Sequence, residues 1–353
     1  MTVPVIFSFK TAFPGTKISV LTKAKFTPLF TQLDVEVIIA DTEGTHKGII
    51  GLYRLFRSIK KSSNVDAVAD LHDVLRSRLI RTLYWFSGVK IAFINKERDE
   101  LKKLTRKENK ILSPLPTRFD RYKKVFNDLG FSFPLSFTSI IPDLIEPRML
   151  GNTQKERALN LPLQKNLSAG LDEEILKYTG IKRSQWVGIA PFAAFEPKIY
   201  PLEKMKEVVK SLWTDNPVKL LFFGGGKEET RVLNEWEKEF PGTINMAGKL
   251  SLEKELKVMA HLDCMVAMDS ANMHFASLTS IPVISVWGAT HPLMGFTPWN
   301  QSPANQVQIP LYCRPCSVYG NVPCYRGDHA CMRDLPFRMI VEKVNAILKN
   351  AVL

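Results

Sequence analysis

The chain has no uninterrupted apolar segment of the roughly 20 residues that a bilayer-spanning helix needs, so the sequence predicts no membrane span. The first residues, MTVPVIFSFK, lack a basic segment followed by an apolar core and a small-residue cleavage site, and no secretory signal is predicted. The composition is globular, with 45% hydrophobic and 24% charged residues. Together these features predict a soluble cytoplasmic protein.

Several familiar sequence signals are also absent. There is no low-complexity segment and no repeat with a period of about 20–50 residues, which excludes solenoid architectures. Neither the P-loop spacing nor the G-x-G-x-x-G fingerprint occurs, so the glycines of FFGGGKEE (222–229) are not a standard nucleotide motif. A length of 353 residues exceeds one small core and predicts two domains with a cleft.

Short β-branched segments alternate with amphipathic ones, a pattern typical of βαβ units and parallel sheets. The predicted strands are KISVLT (17–22), VEVIIAD (35–41), DAVADLH (66–72), VKIAFIN (89–95), WVGIAPF (186–192), KLLFFGG (219–225), TINMA (243–247), CMVAMDS (264–270) and IPVISVWG (281–288). The pattern weakens between about 97 and 185. We therefore predict two Rossmann-like domains, residues 1–165 and 166–335, and a C-terminal helix, 336–353, that returns to the first domain.

Positive charge is concentrated in the first half of the chain. Residues 1–145 hold 24 Lys and Arg against 14 Asp and Glu, whereas residues 146–353 hold 24 against 21. This asymmetry indicates an acidic partner for the first domain, or else lysines that are merely solvated. The predicted helix 47–62 combines an apolar stripe with Arg and Lys side chains. Such a helix can pack on a sheet or lie on a membrane surface, and the sequence favours packing on a sheet.

Four of the five cysteines cluster near the C-terminus, at Cys313, Cys316, Cys324 and Cys331. In a reducing compartment, clustered cysteines suggest a small zinc site more than disulfides. The C-x2-C-x7-C-x6-C spacing is not a standard zinc pattern, however. A structural zinc ion and reduced cysteines packed in a loop both remain open.

Polar residues follow several predicted strands, at the edge where open parallel sheets bind ligands. Lys198 lies just before a helix that Pro201 could open, which suits a phosphate, although a solvated loop lysine is the alternative. In AMDSANMHFA (267–276), Ser270 or Asp269 can cap a helix that starts near Asn272. A cap does not explain His274 one turn later, so this segment is also a candidate ligand site. The loop VWGATHP (286–292) lies at the same edge. It is either a structural turn or a further polar loop of the ligand site.

These segments resemble glycosyltransferase family 9, the ADP-heptose:lipopolysaccharide heptosyltransferases. The resemblance rests on IAPFAAFEPKIYPLEKM, on MAGKLSLEKELKVMAHLDCMVAMDSANMHFASLTSIPVISVWGATHP and on CRPCSVYGNVPC. It extends to DLHDVLRS (70–77) and to LTRKENK with LPTRFDRY (104–122), and thus covers nearly the whole chain. The K-I-Y-P and D-S-x-x-x-H combination is fairly specific.

The resemblance implies a GT-B architecture of two facing Rossmann-like domains, inversion at the anomeric carbon and no obligatory metal. It implies that Lys198 neutralises the donor diphosphate, that Asp269 contacts the sugar and that Gly224, Gly225 and Gly226 lie near the nucleotide. Ser270 and the backbone of Ala271, Asn272, Met273 and His274 would line the phosphates. The departures are Ala271, where the family commonly has glycine, and Ala193 and Ala194, where some members carry hydroxyls.

The family also begins with a strand and an S-x-G-D loop, whose aspartate is thought to be the catalytic base. Here TVPVIFSFKTAF reads as the following helix, so we expect that a first strand of this architecture is missing. Asp70 and His72 are the nearby candidates for a base, and Arg76 is a further candidate on the acceptor side.

The sequence thus predicts an inverting enzyme that moves a heptose from ADP-heptose to a phosphorylated glycolipid of the lipopolysaccharide core. We expect it to be peripheral to the cytoplasmic face of the inner membrane and to bind no nucleic acid. Two alternatives remain: another nucleotide-sugar enzyme such as an epimerase, and a basic zinc-holding protein that binds nucleic acid.

Overall fold

The computed structural model describes residues 1–142 and 170–352, with side chains up to 349. The chain divides into two compact units. Of the described residues, unit 1 holds 1–98 and 115–137, and unit 2 holds 99–114, 138–142 and 170–352. The predicted single boundary at 165 is therefore wrong, because residues 99–114 and 138–142 pack in the second unit. Within it, Lys110 Nζ donates to the Pro315 carbonyl at 2.6 Å, and the Ile140 amide donates to the Leu278 carbonyl at 2.7 Å.

Unit 1 contains four short parallel strands and the helices between them. The strands are β1 (Ser19–Thr22), β2 (Glu36–Ile39), β3 (Ala67–Asp70) and β4 (Lys90–Phe93). The helices are α1 (Val3–Ala12), α2 (Gly48–Ser62), α3 (Leu75–Trp85), α4 (Arg98–Thr105), which leads into unit 2, and α5 (Arg118–Asp128). All four predicted strands are present, each shortened at one or both ends.

These strands form two separate two-stranded sheets. β1 pairs with β2 in the register Ser19 to Glu36, and β3 pairs with β4 in the register Ala67 to Lys90.

Apolar side chains of the helices hold unit 1 together. The inward face of α2 buries Leu52, Leu55, Phe56 and Ile59 against α3 and against partly buried residues of β2, β3 and β4. The predicted packing of this helix on a sheet is confirmed. α1 buries Phe9, whose ring meets those of Phe126 and Phe133 at 4.9 and 5.5 Å.

Unit 2 is built on one six-stranded parallel sheet in the order β10-β9-β8-β5-β6-β7. Its strands are β5 (Trp186–Ala190), β6 (Lys219–Phe222), β7 (Ile244–Asn245), β8 (Cys264–Met268), β9 (Val283–Val286) and β10 (Gln306–Val307). Its helices are α6 (Glu173–Thr179), α7 (Leu202–Asp215), α8 (Lys227–Glu239), α9 (Leu252–Ala260), α10 (Ala271–Ser277), α11 (Ala330–Arg333) and α12 (Phe337–Val352). Every residue of β5 and β8 is buried, as expected for central strands covered on both faces. The predicted α/β class with parallel sheets is confirmed.

The C-terminal helix α12 belongs to unit 2, so the prediction that it returns to the first domain is wrong. Its Ile340, Val341 and Val344 lie in the same core cluster as residues of β8 and α7. The Gln185 side chain also donates to the Leu348 carbonyl at 3.0 Å. The apolar face of the helix is buried against the sheet of its own unit.

No helix within residues 1–142 and 170–352 is both long and apolar enough to cross a bilayer.

Candidate functional site

The strand order of unit 2 places the candidate site. The chain runs outward from β5 in one direction through β6 and β7, and from β8 in the other through β9 and β10, so the order reverses between β5 and β8. Open α/β sheets bind their ligands beyond the carboxyl ends of the strands at such a reversal. Lys198 follows β5 and Asp269 follows β8, which puts both at this point.

The structure brings these two predicted residues into contact. Lys198 Nζ lies 3.1 Å from Asp269 Oδ2, and the two side chains are 13% and 10% exposed. The same Oδ2 accepts a hydrogen bond of 2.8 Å from the hydroxyl of Thr290, which is fully buried. The alternative of a solvated loop lysine does not fit this environment, because the ammonium is largely removed from water and paired.

A segment of the cysteine-rich region holds Lys198 from the other side. A Cβ built on Gly320 would come within 2.5 Å of Lys198 Cγ and Cδ, so the backbone there packs directly on the lysine stem. Gly320 has a φ of +78°, which favours glycine at this position. Its amide is fixed by the Ser317 hydroxyl at 2.9 Å. The sequence analysis did not predict this contact, because Gly320 and Lys198 are more than 100 residues apart and no local pattern links them.

Buried Arg314 joins that segment to the loop that carries Thr290. Its guanidinium donates to the carbonyls of Gly288, Ile309 and Thr290 at 2.5, 2.7 and 3.0 Å. The amides of Cys316 and Ser317 both donate to the Ala289 carbonyl, at 3.0 and 3.2 Å. We refer to residues 313–321 as the latch, because these bonds fix them on the loop 288–290. The ion pair is thus held within a rigid frame.

Two buried polar atoms beside the ion pair have no hydrogen-bond partner among residues 1–142 and 170–352. Ser270 is the residue before α10, but its hydroxyl makes no capping bond, and its Oγ is buried without a hydrogen bond. His274 Nδ1, one turn later, is buried and unpaired as well. Because buried polar groups are normally satisfied, two such atoms in one turn point to a ligand. The helix-cap explanation therefore does not account for either side chain.

The imidazole of His274 is uncharged near neutral pH. Burial lowers its pKa to about 3, and the charge of Lys198 adds to the effect. Of the other predicted residues here, Met273 is a core side chain, whereas Ala271 is exposed and Asn272 is half-buried. Only the backbone of Met273 can face a ligand.

The glycine loop after β6 is open on one side. A Cβ on Gly225 or Gly226 would meet nothing within 4 Å, whereas one on Gly224 would crowd Glu229 and Leu233. The Gly225 amide already donates to the Glu229 carboxylate at 2.7 Å. This acidic side chain at the start of α8 disfavours a phosphate there, so the loop suits an uncharged part of a ligand. Ala193 and Ala194, in the loop after β5, offer no side-chain donor.

The acceptor-side candidates lie in unit 1 at the end of β3. Asp70 Oδ1 accepts from the amides of His72 and Asp73 at 3.0 and 2.8 Å, and its Oδ2 pairs with Arg81 at 2.9 Å. Both carboxylate oxygens therefore already accept hydrogen bonds from unit 1. His72 and Arg76 are exposed. Desolvation lowers the pKa of His72, and the charge of Lys96 lowers it further, which indicates a cationic environment.

None of the four clustered cysteines forms a disulfide in the described parts of the chain. Within residues 1–142 and 170–352, no group of three or more Cys, His, Asp or Glu side chains is arranged to hold a metal ion. The structural zinc ion and the packed reduced cysteines both stay predictions. Burial raises the pKa of Cys331 to about 11, so this thiol is protonated near neutral pH.

The family model of glycosyltransferase family 9 (heptosyltransferase) matches residues 52–323, which is more than half of the chain. The lipooligosaccharide heptosyltransferase 2 of Campylobacter jejuni is 27% identical over 136 residues, 37% of this chain and 41% of that protein. The lipopolysaccharide heptosyltransferase 3 of Escherichia coli is 24% identical over 317 residues, 88% of this chain and 84% of that protein.

The match thus spans less than half the length of the Campylobacter relative. Among solved structures, the Escherichia coli heptosyltransferase WaaC with ADP superposes with a TM-score of 0.63 at 16% identity, over 98% of this chain and 95% of that one. At this identity the similarity concerns the fold.

Proposed function

Since this chain belongs to glycosyltransferase family 9, we propose that it transfers a heptose from ADP-heptose to a lipopolysaccharide core acceptor, with inversion at the anomeric carbon. The observation that carries the proposal is the buried Lys198 and Asp269 pair beside the unpaired Ser270 Oγ and His274 Nδ1. All four side chains lie beyond the carboxyl ends of β5 and β8, where the sheet order reverses.

The proposed reaction breaks the bond between the anomeric carbon and the donor diphosphate. An acceptor hydroxyl forms the new bond, its proton passes to a base, and the electron pair of the broken bond leaves with ADP. Negative charge therefore grows on the departing phosphate. Preorganised donors aimed at that charge are usually the largest single catalytic contribution.

Lys198 can stabilise the departing phosphate with its positive charge while it stays paired with Asp269. Its ammonium has three N–H donors, and the contact with Asp269 uses one of them. The others can reach a diphosphate, while the Ser270 hydroxyl supplies a neutral donor. The absence of hydroxyls at Ala193 and Ala194 leaves more of this task to Lys198. α10 has only seven residues, so its dipole adds little.

Asp269 is suited to orient the heptose. Its Oδ2 is taken by Lys198 and Thr290, while Oδ1 receives no hydrogen bond from the described part of the chain. A carboxylate held in this way can accept a bond from a sugar hydroxyl. The open face of Gly225 and Gly226 offers room for the nucleoside. WaaC is described with ADP, which agrees with an adenine nucleotide here.

Unit 1 is proposed to bind the anionic acceptor, a phosphorylated glycolipid at the cytoplasmic face of the inner membrane. Desolvation lowers the pKa of His72 most, and the neighbouring cations Lys96, Arg76 and Arg118 lower it further. Asp70 is a poor base because both of its oxygens are engaged. His72 stays the better candidate within the described residues. No metal is required by this scheme, and we expect transfer to persist in the presence of a chelator.

The test is to incubate the protein with ADP-heptose and a core glycolipid, and to follow the mass of the acceptor. We expect heptose transfer with ADP-heptose and none with UDP-N-acetylglucosamine. ADP alone should raise the melting temperature, because a ligand that binds only the folded state stabilises it. Conversion of a free nucleotide sugar without any acceptor would instead identify an epimerase. Binding of oligonucleotides without any effect of ADP would overturn the assignment.

A further inference from the structure

Two large aromatic side chains stand exposed at the end of α3. Trp85 and Phe86 are 63% and 75% exposed, and their rings meet edge to face at 4.9 Å. The neighbouring Tyr84 and Ile80 already fill the core beneath them. The fold therefore does not require the pair. Adjacent exposed aromatics of this size are unusual on a soluble surface and commonly mark an interaction site.

Cations that form no salt bridge with another described residue lie beside this aromatic pair. Lys60 Nζ of α2 donates to the hydroxyl of Ser87 at 3.1 Å, which places the end of α2 beside the aromatic residues. The outer face of α2 carries four exposed cations, Arg54, Arg57, Lys60 and Lys61, and the helix contains no acidic residue. In the parts of the chain that the structure describes, none of the four forms a salt bridge. By contrast, Arg78 and Arg81 of α3 pair with Asp73 at 2.8 and 3.0 Å.

The beginning of α2 adds aliphatic surface to the same face. Ile49 and Ile50 are 74% and 70% exposed, and Tyr53 is exposed one turn later. At about 100° per residue, Ile49, Tyr53, Arg57 and Lys60 fall within an arc of roughly 80°. The inward face of the helix is already occupied by the core. The outer face therefore offers one surface that mixes apolar and cationic side chains.

We propose that the outer face of α2, together with Trp85 and Phe86, docks on an anionic lipid bilayer. A bilayer interface presents negative headgroups and an apolar layer about 5–10 Å below them, and both kinds of side chain on this face find partners there. A second copy of the chain would bring cations against cations. Nucleic acid would leave the two isoleucines without a partner. This proposal concerns unit 1 and is independent of the donor site.

The test is flotation with vesicles of phosphatidylglycerol and phosphatidylcholine, compared with vesicles of phosphatidylcholine alone. We expect binding to the anionic vesicles only, and weaker binding as salt rises. The double variant Arg57→Gln/Lys61→Gln should lose about fivefold in affinity for each cation removed. The double variant Trp85→Ser/Phe86→Ser should also bind more weakly, and quenching of tryptophan fluorescence by brominated lipid should fall in Trp85→Phe.

The matched control is Ile111→Ser/Leu112→Ser, which removes two adjacent exposed apolar side chains from unit 2. It should bind vesicles as the wild type does. Equal binding by the wild type and both double variants of the proposed face would overturn the proposal, as would wild-type binding to neither kind of vesicle. A dimer that the aromatic double variant abolishes, with no vesicle binding, would assign the face to a second copy instead. The rise in melting temperature with ADP should be the same in all variants, so failure here leaves the proposed function untouched.

Discussion

Replacing Lys198 by methionine tests the central feature of the proposed donor site. The substitution keeps most of the side-chain volume and removes the charge, leaving the Asp269 carboxylate 10% exposed with only the Thr290 hydroxyl as a partner. Removing one partner of a buried ion pair leaves an uncompensated charge, which costs about 2–4 kcal/mol in free energy of unfolding. For a unit of this size we expect the melting temperature to fall by roughly 5–10 °C. A lysine free in solvent would cost almost nothing.

A second ion pair provides the matched control. Lys206 and Glu239 are also 3.1 Å apart, but their side chains are 28% and 49% exposed. Exposed pairs contribute about 0–1 kcal/mol, so Lys206→Met should shift the melting temperature far less. Transfer should be unchanged in Lys206→Met and reduced about 10²–10³-fold in Lys198→Met, which loses a donor to the leaving phosphate.

The double variant Lys198→Met/Asp269→Asn measures the interaction between the two residues, apart from the individual contribution of each. Because it removes both charges, its loss of stability should be smaller than the sum of the single losses by about 1–3 kcal/mol. Its transfer rate should resemble that of the worse single variant, as for residues that act together. Thermal unfolding and transfer to a core glycolipid measure the two effects. Strictly additive losses, or a Lys198→Met protein that is as stable and active as Lys206→Met, would refute the reasoning.

Four further outcomes are expected. Gly320→Ala should displace the Lys198 stem and reduce transfer more than Gly327→Ala, a second glycine with positive φ whose added Cβ would meet nothing within 4 Å; comparison of the two rates is the check. Burial lowers the pKa of His274 to about 3 and that of His291 to about 4, from an ordinary 6.5, so the unfolded chain binds more protons and stability should fall as pH drops from about 6.5 toward 4. Melting curves of His274→Gln should show a weaker pH dependence in that window, and an unchanged one would count against the buried neutral imidazole. Acceptor affinity should decline with ionic strength if the cations around His72 bind a phosphorylated glycolipid, whereas ADP binding serves as the comparison. A structural zinc ion predicts about one metal ion per chain by elemental analysis and a loosened latch after chelation, whereas packed reduced cysteines predict no bound zinc and no effect of the chelator.

Much of the fold follows from local sequence patterns. The β-branched segments predicted all four strands of unit 1, and the apolar segment CMVAM became the buried strand β8. Polar residues after buried strands also predicted the positions of Lys198 and Asp269, because parallel strands all end at one edge. Their direct contact required knowledge that β5 and β8 are neighbours, which follows from strand order and not from spacing.

Other features depend on contacts between distant parts of the chain. The apolar stripe of α12 predicts that one face is buried, but nothing in its spacing says against which sheet. Arg314 is expected at the surface from its residue type, yet three backbone carbonyls from two loops accept its hydrogen bonds in the interior. The position of Gly320 against Lys198 has no local signal, because a glycine followed by polar residues also describes an ordinary turn.

The latch makes the site dependent on the order in which the chain is synthesised. The strands that carry Lys198 and Asp269 are complete once residue 269 has left the ribosome, but Gly320 and Arg314 emerge later. At about 5–20 residues per second, those missing residues take several seconds to be made. During that interval the sheet can form around a lysine that is not yet clamped. An engineered chimera that exchanges the donor half with a relative would need to carry residues 313–321 along, or it would assemble the strands of the site without the segment that fixes its cation.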